Sequence, residues 1–378
     1  MNLVILDPSL RSANGHFLTY DKAISDEARK SGVRTIVLGS TKVDSSLTDP
    51  EIRPCFRFGL EAPEPDAAIA RAFLGDLIAA TRQLPHEGKT VFFLHTTTYR
   101  QIEPAITFIA REMSRDFSLI ILLRYVPSPN PAVPNSEGVH QYGLALSAID
   151  RLGVADRVRL VTDSDLLACE YRTITRHSIE IVPIPHVGGA VARRPQRTLT
   201  YLGNARATKG FQYLPYMVAQ IRPLLLTGDW TAEFQANVMF RRDLESVVAL
   251  CELRGEPVTL WEEELSLADY DALLGRSGIV LIPYQALYYY AQTSGVLAEA
   301  IGRGKPVVVP RGTWMARQVA HGVAGVLFAP GDRVDFARAV TEAMARLEEL
   351  TAAAAAMREG WVAEHNPQAF VRSLLRQA

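Results

Sequence analysis

A chain of 378 residues with 48% apolar content has material for two hydrophobic cores, so two domains are expected. Its 40 Lys and Arg against 41 Asp and Glu fall as 20 against 22 up to His186 and 20 against 19 beyond. Neither half carries the positive excess that attracts nucleic acid or an anionic membrane, and neither is predicted as a partner on electrostatic grounds.

The opening MNLVILDPSLR has a short apolar run without a basic leader, which reads as a first strand and not a signal peptide. No run approaches membrane-spanning length, which leaves only peripheral membrane contact open. Cys55, Cys169 and Cys251 stand far apart with no CxxC pair, the usage of reduced thiols in a cytoplasmic protein, with neither a disulfide framework nor a zinc site. Strands are predicted at Leu3 to Leu6, Thr35 to Leu38, Val91 to Leu94, Leu119 to Leu123, Val158 to Val161 and Glu180 to Pro183. Helices are predicted at Phe17 to Ser31, Asp66 to Arg82, Gln101 to Arg115 and Ser136 to Arg151. Strand and helix in alternation mean a parallel sheet with crossover helices.

After Pro185 the Gly- and Arg-rich stretch HVGGAVARRPQR reads as a linker, and the alternation restarts. The second set of strands is predicted at Leu199 to Leu202, Leu224 to Leu226, Val258 to Trp261, Ile279 to Ile282, Val307 to Val309 and Val326 to Phe328. The tail reads as one or two helices broken at Asn366-Pro367. The expected organisation is α/β: an amino-terminal Rossmann-like parallel-sheet domain over 1–186, a second over 197–350 facing it across a cleft, and helices over 351–378 packing back on the first.

Parallel sheets bind ligands at the carboxyl ends of their strands, and the polar motifs fall there. In LTYLGNARATKGFQYLP, Gly203 permits a tight turn, while Arg206 and Lys209 put two cations after the strand, an anion clamp or a pair of exposed loop cations. In TSGVLAEAIGRGKPVVVP, Thr293 or Ser294 caps a helix whose free N–H groups at Ser294, Gly295 and Val296 suit an anion. Glu299 lies one turn beyond Gly295, about 6 Å along the axis, the reach from a diphosphate to a ribose diol. The same residue also has Arg303 at the i, i+4 spacing of a surface ion pair. Asp163-Ser164-Asp165 follows a strand and opens a helix, so Asp163 or Ser164 reads as an N-cap and no metal is predicted. In the first half, Asn14-Gly15-His16 follows the first strand. His95 ends VFFLH, as a cleft residue or a capped core histidine, and Arg124 follows LIILL beside the Pro-rich loop over 127–134.

GNARATKGFQYLP and SGVLAEAIGRGKPVVV resemble the glycine/lysine loop and the glutamate element of group 1, family 4-like, retaining glycosyltransferases with the GT-B fold. VTLWEEELSLADYDALLGRSGIVLIPY and GVAGVLFAPGDRVDFARAV resemble two further elements in the right order, between about Thr200 and Val340. The resemblance implies an enzyme of polysaccharide or glycoconjugate biosynthesis that moves a sugar from a nucleotide diphosphate sugar to an acceptor hydroxyl. It implies retention of configuration, with no metal and no cofactor besides the donor. Lys209, Arg206 and His95 become the catalytic candidates, with Glu299 on the ribose. Thr293, Ser294, Gly295, Val296, Gly203, Gly15 and Tyr284 form the rest of the donor side, and His16 and Arg124 lie on the acceptor side. Two departures stand out: the family's first glutamate is Ala291 here, and its arginine after the loop glycine is Asn204, with Arg206 two residues on. A catalytically silent sugar-nucleotide binder and a nucleotide-sugar epimerase of the same fold remain as alternatives.

Overall fold

The computed structural model describes residues 1–13, 16–84, 88–128, 137–186, 189, 196–238, 243–252, 257–320 and 324–376. Two compact units divide the chain, Met1–Pro185 with Pro367–Ala378, and His186–Asn366.

In the first unit seven parallel strands lie in the order β3-β2-β1-β4-β5-β6-β7. They are β1 Asn2–Leu6, β2 Arg34–Ser40, β3 Ile52–Phe56, β4 Thr90–Leu94, β5 Phe117–Leu122, β6 Val158–Thr162 and β7 Ile179–Ile181. NLVIL and TVFFL are buried at every position, because crossover helices cover both faces of the sheet. Helices α1 His16–Lys30, α2 Asp66–Thr81, α3 Tyr99–Arg111, α4 Glu137–Arg151 and α5 Asp165–Arg172 form the crossovers. Strand β3 escapes the sequence reading because Pro54 interrupts IRPCF; the strand sits at the sheet edge, where the missing N–H of proline is tolerated.

The second unit holds six parallel strands in the order β10-β9-β8-β11-β12-β13. These are β8 Thr198–Tyr201, β9 Thr231–Gln235, β10 Val258–Trp261, β11 Ile279–Leu281, β12 Val307–Pro310 and β13 Gly325–Phe328. The expected strand at Leu224 to Leu226 is instead the last turn of α6 Leu214–Leu226. Its leucines continue the helical stripe of Leu214, Met217, Val218, Ile221 and Leu225, and the true strand, TAEFQ, begins five residues later. The remaining helices are α7 Leu244–Cys251, α8 Leu267–Arg276, α9 Ala286–Tyr289, α10 Gly295–Gly302, α11 Trp314–Ala320, α12 Arg333–Ala345 and α13 Leu347–Glu364.

The last helix, α14 Pro367–Leu375, returns to the first unit, where Phe370, Val371 and Leu374 enter the core beside α1. Pro367 begins it, since proline's fixed φ suits the first helical turn. In each sheet the strand order reverses once, between β1 and β4 and between β8 and β11. Those reversals open crevices at the carboxyl ends of the strands.

Candidate active site

In the second unit, the residues after β8 and β11 flank the reversal point. Gly203 takes a φ of 100° that only glycine adopts freely, and its N–H donates to the Gln235 side chain at 2.7 Å. The chain then runs through the 3₁₀ turns Ala207–Lys209 and Phe211–Tyr213. Asp243 accepts from the Ala207 N–H at 2.9 Å, and Gln285 donates its side-chain amide to the Ala207 carbonyl at 2.8 Å. At Gly210, φ is 71° and a methyl group would land on the Pro283 carbonyl. The loop after β8 is therefore seated directly against the segment after β11.

This seating places Lys209. Its ammonium lies where a Cβ on Gly203 would meet it at 2.8 Å, and 5.7 Å from the centroid of the buried Tyr284 ring. Glycine at 203 is what lets the ammonium approach the backbone so closely. Burial and the neighbouring Arg206 pull Lys209 down to about 8, while Glu299 acts in the opposite direction. A buried ammonium with a second cation beside it is stabilised by an anionic ligand.

Helix α10 supplies the facing wall. Ser294 caps it, its hydroxyl accepting from the Leu297 N–H at 3.2 Å, and Thr293 beside it is buried. Gly295 is exposed, Val296 is half-buried, and nothing lies within 4 Å of a Cβ built on Gly295. The first turn of a helix has N–H groups without intrahelical acceptors, and here that turn meets open space. One turn on, Glu299 accepts from the Tyr270 hydroxyl at 2.5 Å. Burial raises the Glu299 carboxyl, against the lowering effect of the Tyr270 hydrogen bond. Arg303 instead forms its ion pair with Asp271, so the surface pair with Glu299 is not the arrangement adopted. Tyr270 had no signal in the sequence beyond its place in the LADYDALL helix. Ala291, at the family's glutamate position, is fully buried.

In the first unit, Asp7 follows β1, His95 follows β4, and Asp21 comes from α1. His95 is 1% exposed and does not reach an open surface: Nε2 lies 2.8 Å from Asp21 Oδ1 and Nδ1 2.9 Å from Thr96 Oγ1. Of its two sequence readings, cleft residue and capped core histidine, this environment is that of the second. Asp7 Oδ2 stands 3.7 Å from the same Nε2. Among the described residues this is the one trio of such donor side chains whose donor atoms all lie within 4.8 Å of one another. The Tyr20 ring lies tilted against His95 with centroids 4.8 Å apart, and Arg124 covers the Tyr20 ring at 4.9 Å. Arg124 pairs with Asp163 at 3.3 Å. Ser164 is the N-cap of α5, accepting from the Leu167 N–H at 3.2 Å. Gly15 and the His16 side chain lie outside the described residues, as does 129–136 of the Pro-rich loop.

No curated protein matches the chain in sequence. Residues 196–346 match the family model described as glycosyl transferases group 1. Among solved structures, the chain is similar to sucrose-phosphate synthase from Thermosynechococcus elongatus, with a TM-score of 0.72 at 14% identity over 100% of this chain and 98% of that one. Anabaena HepE, solved in complex with UDP-glucose, gives 0.71 at 15% identity over 100% and 98%. The E. coli trehalose-6-phosphate protein bound with UDP-2-fluoro glucose gives 0.67 at 12% identity over 100% and 98%. These neighbours share the GT-B fold with this chain. The chain thus carries a group 1 glycosyl transferase domain at residues 196–346, within a GT-B fold.

Proposed function

We propose that the chain transfers a sugar from a UDP-linked donor to an acceptor hydroxyl, with retention of anomeric configuration and without a metal. The observation that carries this reading is the position of Lys209, over Gly203 and Tyr284, with Arg206 and Glu299 acting on its charge. A diphosphate there would meet Lys209, Arg206 and the N–H groups of Gly295 and Val296, while Glu299, oriented by Tyr270, would take the ribose hydroxyls. Ser294, Thr293 and Tyr284 would hold these groups in place. The choice of UDP draws on the neighbours solved with UDP-glucose and UDP-2-fluoro glucose.

The chemical requirement is stabilisation of charge growing on the leaving diphosphate. Fixed cations and backbone donors supply it without reorganising as the bond breaks. The leaving phosphate can then accept the proton of the attacking hydroxyl on the same face of the sugar. Two carboxylates flanking the bond, as in a glycosidase, are not called for. Gly15, His16, Arg124 and His95 remain proposed for the amino-terminal side, His95 as a positioning residue.

Calorimetry with UDP, GDP and ADP, followed by transfer assays with UDP-sugars in EDTA, tests this reading. UDP should bind best and transfer should survive chelation, and the anomeric coupling constant of the product should match that of the donor. A strict Mg²⁺ or Mn²⁺ requirement or an inverted product would contradict it. Ala291, a buried methyl where a carboxylate is expected, favours one rival, a binder without turnover; nucleotide release that needs an acceptor would exclude that rival.

A further inference from the structure

Asp7, Asp21 and His95 occupy the carboxyl edge of the first unit's sheet, at its point of reversal, with exposures of 0%, 0% and 1%. Two full negative charges side by side in such a trio are disfavoured, because buried like charges without compensation are expensive. Strand β1 leads to Asp7, and α1 brings Asp21 and the phenol of Tyr20. Strand β4 leads to His95 and Thr96, and α14 presents the apolar ring of Phe370, 6.0 Å from Tyr20. Strands β5 and β6 lead to Arg124 and Asp163, which pair with each other. Among the described residues, the cation beside Tyr20, Arg124, is therefore already matched by a carboxylate.

The oxygens show where the balance lies. Asp7 Oδ1 accepts the Ser9 N–H at 2.9 Å, and Asp21 Oδ1 meets His95 Nε2. Asp7 Oδ2 and Asp21 Oδ2 are both fully buried and, among the described residues, have no hydrogen-bond partner as carboxylates. Two bare carboxylate oxygens do not coexist in a dry pocket, but one proton placed on either makes it a donor and leaves the other to accept. We propose that Asp7 and Asp21 hold one proton between them, which keeps His95 neutral with Nε2–H toward Asp21 and makes both aspartates positioning residues for the carboxyl edge of this sheet. With the proton in place, Thr96 donates to Nδ1, and the imidazole orientation is fixed at both nitrogens. Burial raises Asp7 to about 7 and also raises Asp21, and burial holds His95 down at about 4, directions that agree with this arrangement. The inference goes beyond the donor site and needs no sugar nucleotide for its test, so it can fail or stand independently of the transfer reading; only the value of a fixed His95 to catalysis rests on that reading.

The sign of the linkage follows from the raised carboxyl. Stability from its retained proton is full below the unfolded value near 4, is lost as pH rises toward 7, and changes no further above that. The neutral isostere Asp7→Asn lacks this proton. In the full chain, the melting temperature of D7N relative to wild type should therefore rise by about 2–4 °C per pH unit from pH 5 to 7 and level off above. A difference that stays flat across this range, or falls, overturns the proposal. If D7N does not fold, ¹⁵N spectra of wild-type histidines decide: a neutral His95 with Nε2–H at pH 6 supports it. A doubly protonated ring or the Nδ1–H form overturns it, as does a stoichiometric divalent ion that co-purifies with wild type and is absent from Asp21→Asn.

Discussion

The ammonium of Lys209 lies 5.7 Å from the centroid of the Tyr284 ring, a contact between the loop after β8 and the segment after β11 that spans the reversal in the strand order. It joins the two elements by a cation on an aromatic face, and it leaves the ammonium facing the helix that carries Glu299. Loss of this cation should be felt first in diphosphate binding. Lys209→Ala is expected to weaken UDP binding about 10- to 100-fold, the range of a lost charged hydrogen bond. Glu299→Ala should weaken UDP with a smaller effect on inorganic diphosphate, because only the former carries ribose hydroxyls. Calorimetry with both ligands separates the two effects, and unchanged affinities in both variants would remove the site.

Tyr270 acts through Glu299. The phenol donates at 2.5 Å to a carboxylate that burial would otherwise push toward its neutral form. Tyr270→Phe should cost about 1 kcal/mol in UDP affinity, roughly fivefold. In the Glu299→Gln background the same change should cost much less, because the two residues form one unit. Additive losses in this cycle would show that Tyr270 works by another route.

The pH dependence of binding should carry the signature of Lys209. Its lowered value of about 8 means that the free enzyme loses this proton as pH rises past 8, whereas a bound diphosphate retains it. Affinity for UDP should thus be level between pH 7 and 8 and fall by up to about tenfold per unit above, as proton uptake becomes part of binding. Lys209→Arg, which does not titrate in this range, should flatten the profile. Titrations at pH 7, 8, 9 and 9.5 suffice to check this, and a fall of equal steepness in the arginine variant would assign the effect elsewhere.

Gly210 anchors the loop by having no side chain. With φ at 71° and the Pro283 carbonyl occupying the space of a Cβ, Gly210→Ala should destabilise the protein by about 2–3 kcal/mol. Gly295→Ala meets no neighbour and should leave stability nearly unchanged. Denaturant unfolding of the two variants makes the comparison, and equal losses would mean that crowding at Gly210 is relieved by movement of the loop.

Much of this was legible in the sequence because buried parallel strands are continuous apolar runs, as at NLVIL, TVFFL and VVVP. The errors have local causes. The leucines at 224–226 satisfy a strand and a helix equally, and only the preceding 3.6-residue stripe separates them. The donor loop could be found because glycine, arginine and lysine stand close together in sequence. The Asp7, Asp21 and His95 trio could not, because its members lie 14 and 74 residues apart and meet only when β1, α1 and β4 are assembled. Likewise, nothing in LADYDALL marks Tyr270 as a partner of Glu299, 29 residues downstream.

The return of α14 to the first unit has a consequence for biosynthesis. Phe370, Val371 and Leu374 fill a core whose other members lie between Leu3 and Val182, so the portion made first by the ribosome lacks its final helix until the whole chain has been translated. Residues 1–185 must wait with an apolar groove beside α1 while His186–Asn366 is synthesised, and the later unit, contiguous in sequence, is free to finish folding first. Nonsense truncation after Asn366 should accordingly damage the amino-terminal half of the molecule and spare the half nearest the stop.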